Sequence, residues 1–179
     1  MSRMRHPRLW LGALAVLGLA VYLLLPSDDR LPCQKEVTSF EKRYTQPQAL
    51  KKALGNLEHG NYRLSGRQTY STYMPSDLKG LLAIGEINAL FIRSIGIAPS
   101  PGQAPLVIDY RVIENDRFDP NKKNQPKKPF SGYLLASFKQ DAKEVYRIQI
   151  DYLDPRAADL ERRIACAIRA FRRGSESVR

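Results

Sequence analysis

The stretch FSGYLLASFKQDAKEVYRIQIDY, residues 130–152, predicts two neighbouring strands. Residues 130–139 are apolar at most positions of both faces, as in a central strand, and residues 145–152 alternate between apolar and polar side chains, as in a half-buried strand. The short link between them, residues 140–143, predicts an antiparallel hairpin. Residues 106–113 alternate in the same way, so these three strands are expected to form a meander.

A fourth strand is predicted earlier in the chain. Between residues 62 and 73, Arg, Ser, Thr and Tyr side chains recur with a period of two, which is typical of an edge strand. Its candidate contact residues are Tyr62, Arg63, Arg67, Tyr70 and Tyr73. The alternative is that these tyrosines and arginines form one surface on which glycans stack.

Two short helices are predicted before this strand. Residues 33–45 carry apolar side chains at a four, three, four spacing, which places them on one helix face: Cys33, Val37, Phe40 and Tyr44. Residues 47–54 begin with Pro47 and are followed by Gly55, which is the usual asymmetry of helix ends.

Residues 78–95 are interpreted as a mostly buried helix, with a pair of strands as the alternative. Ser76 is a candidate N-cap, Gly96 a candidate stop, and the apolar stripe consists of Ile84, Ile87, Phe91 and Ile95. Glu86 is expected on the helix's solvated side; the alternative is a buried carboxylate of raised pKa that acts as a general acid.

A final amphipathic helix is predicted from Pro155 to about Phe171, followed by a disordered tail at 174–179. Its stripe consists of Leu160, Ile164, Ile168 and Phe171. The fold class is therefore α+β: one domain, residues 47–173, in which an antiparallel sheet of about four strands packs against helices.

The N-terminus indicates a membrane anchor. Residues 9–25 are apolar or small and near the short limit of length for a helix that spans a bilayer, so their length fits an anchor or a signal sequence. They are preceded by the basic tail 1–8 and followed by Asp28 and Asp29. This asymmetry predicts a cytoplasmic N-terminus and a periplasmic domain at a bacterial inner membrane. No small-residue cleavage site follows the run, so an uncleaved signal-anchor is preferred over a cleaved signal. Residues 26–46 are then a linker and the first exported helix.

The two cysteines predict a disulfide. Cys33 opens the exported part and Cys166 lies near its end, in a compartment where such bonds persist. Cys166 falls opposite the apolar stripe of the last helix, so the first exported helix is expected to lie across that outward side. The same side carries a candidate basic face: Arg162, Arg169 and Arg173.

The chain has 29 basic and 18 acidic residues and a net charge of +11. Such charge suits anionic lipid, phosphorylated glycan or an acidic protein, whereas nucleic acid is an unlikely partner outside the cytoplasm. A long loop between the first two meander strands adds a candidate basic contact: Lys122, Lys123, Lys127 and Lys128. It is interpreted as an extended, mobile finger that touches a partner or, equally, as a solvated loop.

The sequence shows no catalytic or metal-binding motif. Two histidines, His6 and His59, lie far apart, and no metalloprotease, nucleophile-elbow or phosphate-loop pattern occurs. No cofactor and no catalytic residue is therefore predicted. The leading hypothesis is a non-catalytic, single-pass interaction module of an envelope complex such as a secretion machine. The alternatives are an immunity or inhibitor protein against a toxin outside the inner membrane, and an envelope hydrolase without a recognisable motif.

Overall fold

The computed structural model describes residues 30–44, 47–102, 104–122 and 130–176. Five strands form one sheet: β1 (Ser39–Arg43), β2 (Tyr62–Thr69), β3 (Leu106–Glu114), β4 (Gly132–Gln140) and β5 (Lys143–Tyr152). Four helices accompany them: α1 (Pro32–Lys35), α2 (Pro47–Glu58), α3 (Ile84–Ile95) and α4 (Leu160–Glu176). A 3₁₀ turn, Pro120–Lys122, follows β3. The predicted α+β class is confirmed.

The strand order is β1-β5-β4-β3-β2. The antiparallel meander of β3, β4 and β5 is confirmed, and β4 is the central strand, as its apolar composition predicted. The β4–β5 hairpin turns through Asp141 and Ala142, which both have positive φ (51° and 65°). Two such residues in succession form the tight turn that matches the twist of the two strands.

The sheet is mixed and has five strands, so the prediction of about four antiparallel strands is corrected in both respects. β2 is an edge strand, as predicted, but it pairs with β3 in parallel. Parallel neighbours require a crossover, and α3 supplies it. β2 ends at Thr69, because residues 71–77 turn away and hydrogen-bond to acidic groups at the end of β3.

The second edge strand, β1, overturns the predicted helix over residues 33–45. Only one helical turn, α1, is present, and β1 then pairs antiparallel with β5. Its inward positions are polar rather than apolar: Ser39, Glu41 and Arg43. Glu41 accepts hydrogen bonds from Tyr146 Oη (2.9 Å) and Gln34 Nε2 (2.9 Å). These contacts satisfy the inward carboxylate of a strand that shows no alternation of apolar and polar residues.

Two helix boundaries differ from those predicted. α2 continues past Gly55 to Glu58. The helix in 78–95 starts only at Ile84, where the Ala83 N–H donates to the exposed Glu86 carboxylate (2.6 Å). Glu86 therefore caps α3 on its solvated side, and the alternative of a buried general acid is wrong. Gly96, with φ of 83°, ends the helix as predicted.

α4 begins five residues later than predicted, because Asp154 accepts the Arg156 N–H (2.7 Å) in a preceding turn. Its predicted apolar stripe is fully buried, and Phe171 stacks on Phe138 with ring centroids 4.0 Å apart. The helix continues past residue 174, where the tail was expected to begin. Gly174 lets the backbone pass close to the Tyr146 ring; residues 177–179 lie outside the described ranges.

Cys33 and Cys166 lie at disulfide distance, with Cα atoms 5.9 Å apart, which is consistent with the predicted bridge. The N-terminal segment therefore does cover the outward side of α4, but through the single turn of α1. No helix within the described residues has the length and apolar character needed to cross a membrane. The predicted tail 1–8 and anchor 9–25 lie outside those residues.

Candidate interaction surface

The three long helices, α2, α3 and α4, share one buried cluster with one face of the sheet. The other face carries side chains that are mostly exposed or half-buried. We call it the open face. On β2 and β3 it consists of Arg63, Ser65, Arg67, Thr69, Val107, Asp109, Arg111 and Ile113; on β4 and β5, of Tyr133, Leu135, Ser137, Lys139, Glu144, Arg147 and Gln149; and on β1, of Phe40 and Lys42.

The acids of the open face are already matched with cations. Asp109 forms an ion pair with Lys139 (2.6 Å). Glu144 binds Arg147 through two bonds of 2.8 Å, and the Ser137 hydroxyl also donates to it. These pairs lie across β3, β4 and β5 and engage the carboxylates of Asp109 and Glu144.

Three arginines remain at the β2 side: Arg63, Arg67 and Arg111. All three are exposed, and within the described residues none of them has an ion-pair or hydrogen-bond partner. Arg67 stands directly opposite Arg111 on the paired strand. Like charges at directly opposed positions destabilise a sheet. We call these three residues the arginine cluster.

The outer backbone edge of β2 borders this cluster. β2 pairs with β3 on one side only, and among the described residues no strand, loop or side chain hydrogen-bonds its other edge. A bare edge of eight residues is a template for another strand. The site therefore combines unpaired backbone groups with unpaired positive charge.

The predicted contact residues of this strand separate onto two faces. Arg63 and Arg67 lie on the open face, whereas Tyr62 lies on the helical face, fully buried, with its hydroxyl donating to Ile97 O (2.5 Å). Burial raises the pKa of Tyr62. Tyr70 donates to Gln68 Oε1, and Tyr73 lies beyond the strand and is exposed. Tyr62 therefore does not form a joint stacking surface with Arg63 and Arg67, because it lies buried on the opposite face of β2.

The predicted basic helix face is only partly available. Arg173 binds Glu41 (3.1 Å) and Arg162 lies 3.5 Å from Glu36. Arg169 is exposed. Two of these three charges are thus used within the fold.

The predicted basic loop lies mostly outside the described residues. Lys122 closes the 3₁₀ turn after β3, and residues 123–129, which include Lys123, Lys127 and Lys128, are not described. The beginning of this connection is held by Asp116, whose carboxylate accepts the N–H groups of Thr72 (2.6 Å) and Tyr73 (2.7 Å).

Sequence reasoning missed a buried arginine on α4. Arg163 is fully buried, and it binds Asp159 (Nε to Oδ2, 3.0 Å) and Glu36 (Nη1 to Oε2, 3.4 Å). Its position was readable, since it follows Leu160 by three residues and precedes Ala167 by four, which places it on the apolar side. It joins α4 to the segment just after α1.

A depression of about 630 Å³ lies between the N-terminal segment and the end of β5. Its charged lining includes Arg30, Lys35, Glu36 and Asp151. Among the described residues, no group of three or more His, Cys, Asp or Glu side chains is placed to hold a metal ion.

Comparison of the chain with protein-family models, with curated proteins and with solved structures finds no match.

Proposed function

We propose that this protein is a non-catalytic interaction module of a bacterial cell-envelope complex. Residues 9–25 hold it in the inner membrane, and the folded domain lies in the periplasm, where it binds a protein partner as a subunit or assembly factor. The open face of the sheet is the observation on which this proposal rests.

An antiparallel sheet commonly leaves one face to solvent, and its residues on that face are then polar. Here, half-buried apolar side chains interrupt the polar ones: Val107, Ile113, Tyr133 and Leu135. Apolar groups surrounded by charged ones are the usual composition of a protein contact. The open face therefore supports binding to another protein.

The cysteine pair supports the proposed compartment. Disulfides persist in the periplasm and are rare in the cytosol, and Cys33 and Cys166 lie at disulfide distance although they are 133 residues apart in sequence. The residues around the anchor support the same orientation, because their positive charge precedes the apolar run.

The proposal is tested by isolating the full chain, with a C-terminal tag and at its native expression level, from detergent-solubilised membranes after crosslinking in cells. Leu135→Glu places a charge on the open face, and Ile97→Glu places the same charge on a partly exposed aliphatic residue after α3. We expect envelope proteins to co-purify with the wild type and with Ile97→Glu, but not with Leu135→Glu.

Circular dichroism and the alkylation state of the cysteines check that both variants fold. A single soluble partner at one-to-one stoichiometry would support the alternative, an inhibitor of a toxin or enzyme. Recovery of the wild-type chain alone would contradict the interaction function.

A further inference from the structure

We infer that the arginine cluster and the outer edge of β2 bind an acidic, extended segment of the partner protein, which adds to the sheet as a sixth strand. This inference rests on the proposed function and names the chemistry of its partner. The juxtaposition of a bare strand edge with three unneutralised arginines is its basis.

Charge is the first argument. The cross-strand pair of Arg67 and Arg111 is unfavourable in the isolated domain. The nearest acid on β3, Asp109, is already bound by Lys139 at 2.6 Å. A carboxylate from a partner meets three arginines that have no ion-pair partner among the described residues, and it gains more there than it would beside a paired cation.

Spacing is the second argument. Arg63 and Arg67 are four residues apart on the same face of β2, which separates them by about 13 Å along the strand. A strand added at the β2 edge presents alternate side chains to this face at the same interval. Two carboxylates four residues apart, with a small residue between them opposite Ser65, match the two arginines. Arg111 lies beside Arg67 on the neighbouring strand, β3.

Backbone pairing is the third argument, and it favours a peptide over a lipid surface. The edge of β2 has eight residues, enough to pair with a strand of ordinary length. Addition of a strand to a sheet edge is a common mode of peptide recognition, in which main-chain hydrogen bonds contribute affinity and alternate side chains contribute specificity. Anionic headgroups would neutralise the arginines but would leave the edge unpaired.

The test uses the purified full chain in detergent and a fluorescent twelve-residue peptide in which one face carries Glu and Ser in alternation, so that successive Glu residues are four residues apart. The control is a peptide of the same composition in which the Glu residues are distributed over both faces. The protein variants are Arg67→Glu/Arg111→Glu on the cluster and Lys51→Glu/Arg156→Glu at two exposed basic residues away from the sheet.

We expect the alternating peptide to bind the wild type and the Lys51→Glu/Arg156→Glu control equally, and the cluster variant at least about tenfold more weakly, since several charge pairs are lost together. A peptide with Lys in place of Glu is expected to bind the cluster variant instead. Two further peptides carry methyl groups on alternate backbone nitrogens, one at the odd positions and one at the even positions. We expect only one of the two to lose binding, because only one set of N–H groups faces β2.

Strand addition would be overturned if the two Glu peptides bound equally well. It would also be overturned if neither methylated peptide bound more weakly than the unmethylated one. Equal affinity of the wild type and the cluster variant would overturn the role of the arginines. Binding to phosphatidylglycerol vesicles but not to the peptide, with the same dependence on the cluster, would replace the inference with a lipid contact. If the cluster variant still co-purifies with the envelope proteins while the peptide fails to bind, the inference fails and the proposed function stands.

Discussion

Arg163 is the largest fully buried side chain among the described residues, and it is charged. Its guanidinium is fully buried, with Nη2 2.9 Å from Asp159 Oδ2 and Nη1 3.4 Å from Glu36 Oε2. A buried charge that loses its partner costs far more than an exposed one, since water cannot replace the missing interaction. Removal of the arginine takes the ion-pair partner away from Asp159, whereas Glu36 keeps Arg162 at 3.5 Å.

We therefore expect Arg163→Met to lower the free energy of unfolding by about 1–3 kcal/mol, because Asp159 loses a charge-assisted hydrogen bond. Arg162→Met is the matched control. It is the neighbouring residue, its side chain is 57% exposed, and it also pairs with Glu36 (3.5 Å); its loss is expected to cost less than about 1 kcal/mol. Urea unfolding of both variants measures the difference. Equal effects would show that burial of Arg163 contributes nothing.

Glu114 links the end of β3 to the segment after β2. Its carboxylate accepts the N–H groups of Ser71 (2.9 Å) and Asp77 (2.7 Å) and the hydroxyl of Ser76 (2.5 Å). Burial by itself would raise the pKa of Glu114, but these hydrogen bonds together hold it below its ordinary value. The charged form is therefore the one that the fold prefers.

A lowered pKa predicts how this contribution depends on pH. The stabilisation is fully present above the ordinary glutamate pKa and is lost as the pH falls through the lower, folded-state pKa. We expect Glu114→Gln to reduce the free energy of unfolding by about 1–3 kcal/mol at pH 7, with the difference from the wild type shrinking towards acid pH. Denaturant unfolding at several pH values measures it, with the exposed Glu58→Gln as control. A difference that grows on acidification would contradict this sign.

At the scale of elements, β1 shows why a helical spacing misled the prediction. The spacing of Cys33, Val37, Phe40 and Tyr44 is that of a helix face, yet Phe40 is 65% exposed. The open edge of β5 offers backbone hydrogen bonds to any extended segment, and β1 takes them. Its inward Glu41 binds Tyr146 and Arg173. Both partners lie more than a hundred residues later in the sequence, so the residues around β1 do not by themselves predict the strand.

The packing of β2 against α3 depends on a glycine. A Cβ at Gly66 would overlap the ring and hydroxyl of Tyr110, and that hydroxyl donates to Asn88 Oδ1 (2.7 Å) on α3. Burial raises the pKa of Tyr110 to about 12, so it remains a neutral donor. The ring also stacks on Phe91, with centroids 4.5 Å apart. The tyrosine is thus held on both sides and has no room to move.

We expect Gly66→Ala to destabilise the domain by about 1–3 kcal/mol through overpacking. Gly55→Ala is the opposite case: it lies inside α2 with open space around its Cβ position, so alanine is expected to stabilise by about 0.5–1 kcal/mol. Thermal unfolding of the two variants provides the comparison. The same sign of change in both would contradict the packing at Tyr110.

At the scale of the whole molecule, the cysteine pair encloses nearly the entire domain, with 133 residues separating its ends. It joins α1, at the start of the described chain, to the middle of α4. The two sulfur-bearing residues are almost completely shielded from solvent, with Cys33 and Cys166 exposed to 7% and 0%. A reductant therefore reaches them only when the N-terminal segment separates from α4.

We predict that intact-mass measurement without reductant finds the chain two hydrogens lighter than the reduced form. In the chain-entropy account, a Cys33→Ala/Cys166→Ala variant then loses about 4–5 kcal/mol of stability. Reductant is expected to lower the stability of the wild type towards that of the variant and to leave the variant unchanged. Two thiols that react with alkylating agent in the unfolded, unreduced protein would contradict the bridge.

Local sequence was sufficient for the three meander strands, for the stripe of α4 and for the stop of α3 at Gly96. β3, β5 and α4 show the period of their backbone, β4 shows a nearly continuous apolar run, and Gly96 is a residue that favours a helix end, so a short window contains each signal. The disulfide distance of Cys33 and Cys166 agrees with the prediction from the cysteine count and the predicted compartment. The edge position of β2 followed from its polar alternation.

Contacts between distant segments determined the rest: the strand form of β1, the parallel pairing of β2, the burial of Arg163 and the exclusion of Tyr62 from the open face. Each of these depends on a partner tens of residues away, such as Tyr146 for Glu41 or Glu36 for Arg163. A polar residue can be buried only where a partner satisfies it, and a window of sequence does not contain that partner. The same reason explains the arginine cluster, since Arg67 and Arg111 become neighbours only when β2 and β3 pair.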